Sequence, residues 1–288
     1  MKESQSCFRE IRGLNYHCRT WGDVGAPRLF LLHGFQDVSA SWQFTVDALQ
    51  RDWHVIAPDW RGYGLSEWSK AGCYWSMDLL PDLDALIDAF EPDLPARVVA
   101  HSMGANIAAL YAGTKPDRIH KFVNIEGFGG QPADPEDAPR RIAKWMQQVV
   151  RGERQRPYDS HEEFALRMMA ENPRLTEQRA LFLVQHWGLQ EPDGTVARRA
   201  DPAHKFVQPV LLGFEESCAC WRRIGAPVLL VEGEESAAAE SAARDQARYG
   251  SRLRAYQTVV GVERVRGAGH NIHHDQPEAL AALLESFL

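Results

Sequence analysis

The chain has 288 residues, 44% hydrophobic, 10% aromatic and 25% charged, a make-up that fits an ordinary globular protein and excludes collagen-like, low-complexity and disordered chains. A net charge of −7 argues against a nucleic-acid partner, because phosphate binding needs a basic face. No apolar run approaches the roughly 20 residues that cross a bilayer, and the N-terminal stretch lacks the apolar core of a secretory signal, so a cytoplasmic protein with no membrane partner is expected.

In chain order, residues 8–12 and 14–21 alternate with period two, as a half-exposed hairpin would. Residues 28–33 form a continuous apolar run that stops at Gly34, the pattern of a strand buried on both faces of a parallel sheet. Residues 53–59, 97–101, 121–126 and 227–233 repeat it, and 258–265 is the last strand expected. Helical patterns fill the gaps at 41–50, 78–89 and 105–112, and a helix at 277–288 closes the chain with Pro277 in its first turn. Such alternation predicts a mostly parallel sheet covered by helices on both faces, with ligands bound beyond the carboxyl ends of the strands.

Residues 129–223 break this rhythm. They begin with Pro132, Pro135 and Pro139, hold helical patterns at 140–150, 162–170 and 176–187, and offer few strands. We read them as a helical cap inserted into a core made of 1–128 and 224–288, placed where loops commonly select substrate. The five cysteines (Cys7, Cys18, Cys73, Cys218 and Cys220) are odd in number and scattered, which fits idle thiols rather than a disulfide framework.

The sharpest chemical signal is Ala100-His101-Ser102-Met103-Gly104, where a strand runs straight into a helix with a serine at the turn and small residues two positions to either side. Such a turn presents the hydroxyl in a strained conformation that bulky neighbours would obstruct. The Met103 N–H then starts a helix and points at a developing oxyanion. By itself the pentapeptide also fits a serine that caps a helix. Three further segments stand in order around it: His33-Gly34-Phe35 after an early strand, Asp59-Trp60-Arg61-Gly62-Tyr63-Gly64-Leu65-Ser66 after the next, and Gly269-His270 eight residues before Pro277-Glu278.

Together these segments resemble the alpha/beta-hydrolase superfamily over nearly the whole chain outside the cap. The resemblance implies an eight-stranded, mostly parallel sheet with helices on both faces and a helical cap after the sixth strand. It implies Ser102 as nucleophile, His270 as general base, and the N–H groups of Phe35 and Met103 as oxyanion donors. No metal or other cofactor is implied. The family usually supplies the third, acidic residue as G-x-x-D after the seventh strand, but here Gly233-Glu234-Glu235-Ser236 puts a serine at that position. Some members, certain haloalkane dehalogenases among them, take the acid from the end of the sixth strand, where this chain has Glu126. A buried strand rarely ends in a carboxylate without a partner. Glu126 is therefore the expected acid, with Glu235 or Glu234 as alternatives and Glu232 the remaining glutamate nearby.

Other residues have plainer readings. His270, His273, His274 and Asp275 straddle a loop and a helix cap, and the catalytic turn already explains His270, so no metal site is expected. Asp59 and Arg61 should hold their turn, and His33, His101 and Trp42 should be structural. In the cap most aromatic and methionine residues read as packing, with Trp145, Met168 and Trp187 the candidates to line an apolar substrate pocket. The basic run of Arg140, Arg141, Lys144, Arg151, Arg154 and Arg156 reads as a solvated helix face, or more weakly as a site for an anionic substrate tail. The resulting expectation is a serine hydrolase for a small carboxylic ester, thioester or lactone. Carbon–carbon bond hydrolases and cofactor-independent dioxygenases keep the same serine and histidine, and a non-catalytic ligand-binding protein is the reading from a different class. Epoxide hydrolases and dehalogenases place Asp where Ser102 stands. The partner is a small molecule, and the sequence sets no oligomeric state.

Overall fold

The computed structural model describes residues 1–130 and 134–288, so Pro132 of the proline-rich stretch lies outside the described residues. The strands are β1 (Ser4–Ile11), β2 (Leu14–Trp21), β3 (Arg28–Leu32), β4 (His54–Pro58), β5 (Ala96–His101), β6 (Ile119–Ile125), β7 (Gly188–Gln190), β8 (Val196–Arg198), β9 (Val228–Gly233) and β10 (Val259–Val265). The helices are α1 (Gln43–Ala48), α2 (Leu79–Phe90), α3 (Met103–Thr114), α4 (Ala138–Arg151), α5 (His161–Glu171), α6 (Glu177–Trp187), α7 (Phe214–Trp221), α8 (Ala237–Arg244), α9 (Gln246–Ala255), α10 (Ile272–Asp275) and α11 (Pro277–Phe287).

Eight strands form one sheet in the order β1-β2-β4-β3-β5-β6-β9-β10. The β1–β2 and β2–β4 pairs are antiparallel and all the others parallel. The first hairpin turns through Arg12 and Gly13, both at positive φ (49° and 76°), the backbone that a tight two-residue turn demands. Period-two alternation then sorts the central strands. Phe30, Leu32, Val98, Phe122 and Leu230 face α2, α3 and α7 on one side. Leu29, Leu31, Val99, Val123 and Leu229 face α1 and α11 on the other. Because both faces are covered, these strands read as unbroken apolar runs.

The chain leaves β3 for β4 on one side and returns to β5 on the other. This reversal opens a crevice beyond the carboxyl ends of β3 and β5, where open α/β sheets bind their ligands. The loop that carries Gly34 and Phe35 and the turn that carries Ser102 therefore sit side by side.

Between β6 and β9, helices α5 and α6 and the β7–β8 hairpin close over a small core of their own that contains Phe164, Met168, Leu183, Val184 and Val196. Helix α7 behaves differently. It packs on α3, and its Trp221 is buried in the main core. The contact is close enough that a Cβ on Gly113 would stand 1.9 Å from the Cys220 carbonyl oxygen. The segment between β8 and α7 latches to the loop after β4 through His204, which stacks between Tyr63 and Tyr74 (centroids 3.8 and 3.7 Å) and donates Nε2–H to the Arg61 carbonyl at 3.0 Å. Tyr74 donates its hydroxyl to Asp201 at 2.6 Å beside it.

Burial pushes the His204 imidazole down to about 3. Unfolded, it titrates near its ordinary value of about 6.5, so between those values the unfolded chain binds more protons. Its contribution to stability is complete above pH ~6.5 and is lost as pH falls through that window. Urea midpoints measured from pH 7 to pH 4 should therefore fall less steeply for His204→Gln than for the parent. An unchanged slope would show that this imidazole does not carry the effect.

Candidate active site

Ser102 sits between β5 and α3 at φ 51° and ψ −113°, a conformation that L-residues with side chains rarely adopt. Its N–H donates to the Ile125 carbonyl at 2.8 Å, which fixes the turn to the end of β6. Ala100 is buried in β5 between Leu32 and Asn124. At Gly104 a Cβ would lie 2.5 Å from the His33 carbonyl oxygen, so α3 reaches the end of β3 only because that residue is glycine. The small flanking residues are thus required by packing on both sides.

His270 Nε2 stands 2.9 Å from Ser102 Oγ, and its Nδ1 stands 3.0 Å from Glu126 Oε2. Glu126 leaves β6 at φ 57° with its carboxylate buried. Oε1 accepts the Gly233 N–H at 2.7 Å, and Oε2 accepts the Ser236 hydroxyl as well as facing His270. Ser236 in turn caps α8 by accepting the Ala239 N–H at 3.2 Å. The residue at the usual acid position has thus become a donor to a carboxylate supplied by the neighbouring strand.

The other three glutamates lie elsewhere. Glu235 is exposed and paired with Arg174, and Glu234 is exposed in the turn after β9. Glu232 is buried against Arg252 at 2.9 Å and the Tyr249 hydroxyl at 3.0 Å. The alternatives Glu234 and Glu235 therefore do not meet His270, because the chain turns outward after Gly233.

Met103 begins α3 directly after Ser102, and Phe35 follows Gly34 in the neighbouring loop. The loop that carries Phe35 is held by His33, whose Nδ1–H donates to the Gly34 carbonyl at 2.8 Å and whose Nε2 accepts the Trp60 N–H at 3.0 Å. Gly34 passes so near Ser102 that a Cβ there would approach the serine Cβ to 3.1 Å. The next residue after Phe35, Gln36, is at φ 59°. Among the described residues four non-glycine positions have positive φ, and three of them, Gln36, Ser102 and Glu126, are here.

Asp37, His273 and His274 are buried together, with one ligand atom from each lying within 4.8 Å of the others. Both oxygens of the Asp37 carboxylate are already engaged. Oδ1 accepts the Val38 N–H at 2.7 Å and the Ser41 hydroxyl, and Oδ2 faces His273 Nε2 at 3.1 Å. Burial works to raise the Asp37 carboxyl, but its hydrogen bond to His273 and the nearby imidazoles outweigh burial and hold it well below the usual carboxylate range. The group ties the loop after β3 to α10, next to the His270 turn. His101 strengthens the same joint by donating Nε2–H to the His270 carbonyl at 2.9 Å, and burial pushes its imidazole well below the ordinary value. Asp275 takes no part, since it accepts the Gly269 N–H at 2.8 Å and the Asn172 amide at 2.6 Å. Asp59 binds His17 at 2.7 Å and the Ser39 and Leu65 N–H groups, and Arg61 forks onto Asp82 at 2.5 and 2.6 Å, so both hold the turn after β4.

Residues 27–277 match the family model described as alpha/beta hydrolase fold. The chain belongs to this family. A serine hydrolase-like protein of Danio rerio is 23% identical over the full chain and 90% of that protein's length. Epoxide hydrolase 4 of Homo sapiens is 29% identical, but over 41% of the chain and 33% of its own length. Among solved structures, a thioesterase domain from the curacin biosynthetic pathway superposes with a TM-score of 0.87 at 23% identity, covering 98% of this chain and 99% of that one, which shows the shared fold. The enzyme class is hydrolase.

A cavity of about 600 Å³ opens on Ser102 in this hydrolase, walled mainly by apolar groups that include Trp75, Met77, Ile107, Leu211 and Trp221. The expected lining residues fare unevenly. Trp145 packs edge-on against Trp75 at 6.3 Å, one layer behind the wall. Met168 is in the small separate core under α5 and α6, and Trp187 donates Nε1–H to Ser41 at 3.0 Å above the Asp37 group. Helical spacing marks a residue as apolar-facing without saying which neighbour it faces, and Met77 and Leu211 lie in segments with no periodic signal.

A hydrogen bond to a charged group is worth about 1.5–3 kcal/mol. Ser236→Ala should therefore slow turnover of a chromogenic ester by about tenfold or more, while Glu235→Gln, whose carboxylate meets Arg174, should leave turnover within about twofold, as expected of an exposed pair. Steady-state kinetics on the two variants checks both.

Proposed function

We propose that this hydrolase cleaves a small carboxylic ester, thioester or lactone through an acyl-enzyme on Ser102. The observation that carries the reading is the unbroken line from Glu126 through His270 to Ser102, with contacts of 3.0 and 2.9 Å. In that reading His270 Nε2 takes the Ser102 proton as Oγ attacks the acyl carbon. Glu126 keeps the Nδ1–H tautomer facing it and stabilises the imidazolium. The N–H groups of Phe35 and Met103 receive the oxyanion. His270 then protonates the leaving group, and a water repeats the sequence to release the acid.

The serine disfavours direct epoxide or haloalkane opening, which would need a carboxylate nucleophile to form its ester intermediate. The mostly apolar cavity supports an acyl group with hydrocarbon character. The segment 129–223 is proposed as the cap that selects it, with α7 seated on the core side of that division.

A fluorophosphonate probe should label folded protein at Ser102, and Ser102→Ala should abolish both labelling and turnover of a chromogenic ester series. Absence of labelling in folded parent protein, or labelling that survives Ser102→Ala, would count against the reading.

A further inference from the structure

Helix α4 buries none of its side chains. At 100° per residue, Ile142, Met146, Val149 and Val150 fall on one face, and Arg140, Lys144 and Arg151 on the opposite one. The helix carries a fourth cation, Arg141, and no acid, in a chain whose net charge is −7. Asp137, just before it, pairs with Arg140 in an exposed contact. The helix is held along one edge: Trp145 packs on Trp75, Arg141 donates to the Pro209 carbonyl at 3.3 Å, and Gln148 accepts the Val207 N–H at 2.9 Å. Among the described residues nothing covers its apolar face, with Met146 56% and Val150 87% exposed.

Further exposed apolar groups lie on and near the segment that holds the helix. Val210, next to the Pro209 that holds Arg141, is 67% exposed, and Leu211 and Met77 are exposed too. All three also line the cavity that opens on Ser102. Exposed apolar surface of this extent marks an interaction site. Its chemistry selects the partner. A basic amphipathic helix of low overall hydrophobicity suits the plane of an anionic lipid surface, where the apolar face enters the acyl boundary and the cations reach phosphates. A second copy seated on the apolar face would leave Arg140, Lys144 and Arg151, on the opposite face, without a partner across the contact.

We propose that α4, with Val210 and Leu211, docks this protein on anionic phospholipid bilayers and turns the mouth of the Ser102 cavity toward the lipid. The corollary that an apolar acyl substrate enters from the bilayer rests on the ester-cleaving reading, whereas the docking does not.

Full-length protein should co-sediment with mixed phosphatidylglycerol–phosphatidylcholine vesicles at low salt, and weakly with pure phosphatidylcholine or at high salt. Lys144→Glu/Arg151→Glu should weaken binding by at least fivefold per replaced cation, roughly the value of one basic residue near such a surface. Met146→Asp/Val149→Asp should abolish it. Both variants should keep the parent circular dichroism and turn over a soluble chromogenic ester within about twofold of parent, as surface changes do. Failure to bind the anionic vesicles, or equal binding by parent and both variants, would overturn the proposal. So would a dimer in vesicle-free solution that Met146→Asp/Val149→Asp dissolves, since the face would then belong to a second copy. Vesicle binding without esterase activity would leave the docking standing and remove the ester-cleaving reading.

Discussion

The carboxylate of Glu126 is held away from water at the end of a strand buried on both faces, and a buried charge persists only where hydrogen bonds and an opposite or polarisable partner compensate for lost hydration. Here the compensation comes from three separate pieces of chain: the Gly233 N–H at the end of β9, the Ser236 hydroxyl at the start of α8, and His270 on the turn after β10. Each makes a hydrogen bond to that one group. Because β6 lies between β5 and β9, the same carboxylate also registers His270 against the Ser102 turn on its other side.

Strain is concentrated where this arrangement needs it. Ser102, Glu126 and Gln36 adopt positive φ, each costing of order 1–3 kcal/mol, and each sits at the carboxyl end of a sheet strand or in the loop just beyond one. The sheet and its two apolar layers supply the rigidity that holds them there. His33, Asp37, His101 and His273 then couple the loop after β3 to the His270 turn through buried hydrogen bonds and ring contacts, so the proposed oxyanion donors and base share one polar joint.

Much of the fold was legible in the sequence, because strands covered on both faces must be continuously apolar and the helices between them must be amphipathic. The strand order reversal was not, since no local signal encodes it. Helices α8 and α9 and the short β7–β8 hairpin carried no clear signal, because α8 is mostly alanine, α9 holds three arginines among its ten residues and each hairpin strand is three residues long. At the site, Ser102, Gly104 and His270 stood out because sharp turns restrict residue type. Glu126 was legible only as a conflict, a carboxylate at the end of a buried strand paired with a serine where an acid was due. The cavity wall was hidden, because Trp75, Met77 and Leu211 come from separate segments without strand or long-helix periodicity. Helix α4 was read as a solvated basic face. Its apolar side has no cover among the described residues, which no local pattern could reveal.

The central claim is that Glu126 acts through His270 on Ser102, and the most direct test is kcat for Glu126→Gln on a chromogenic ester that the parent cleaves. The exchange keeps shape and removes charge, leaving His270 without the acceptor that fixes its tautomer. The account predicts a fall of about 10³–10⁴ with KM little changed, the scale expected when a triad histidine loses its orienting acid. Turnover within about tenfold of the parent, roughly 1.4 kcal/mol in barrier height, would contradict it.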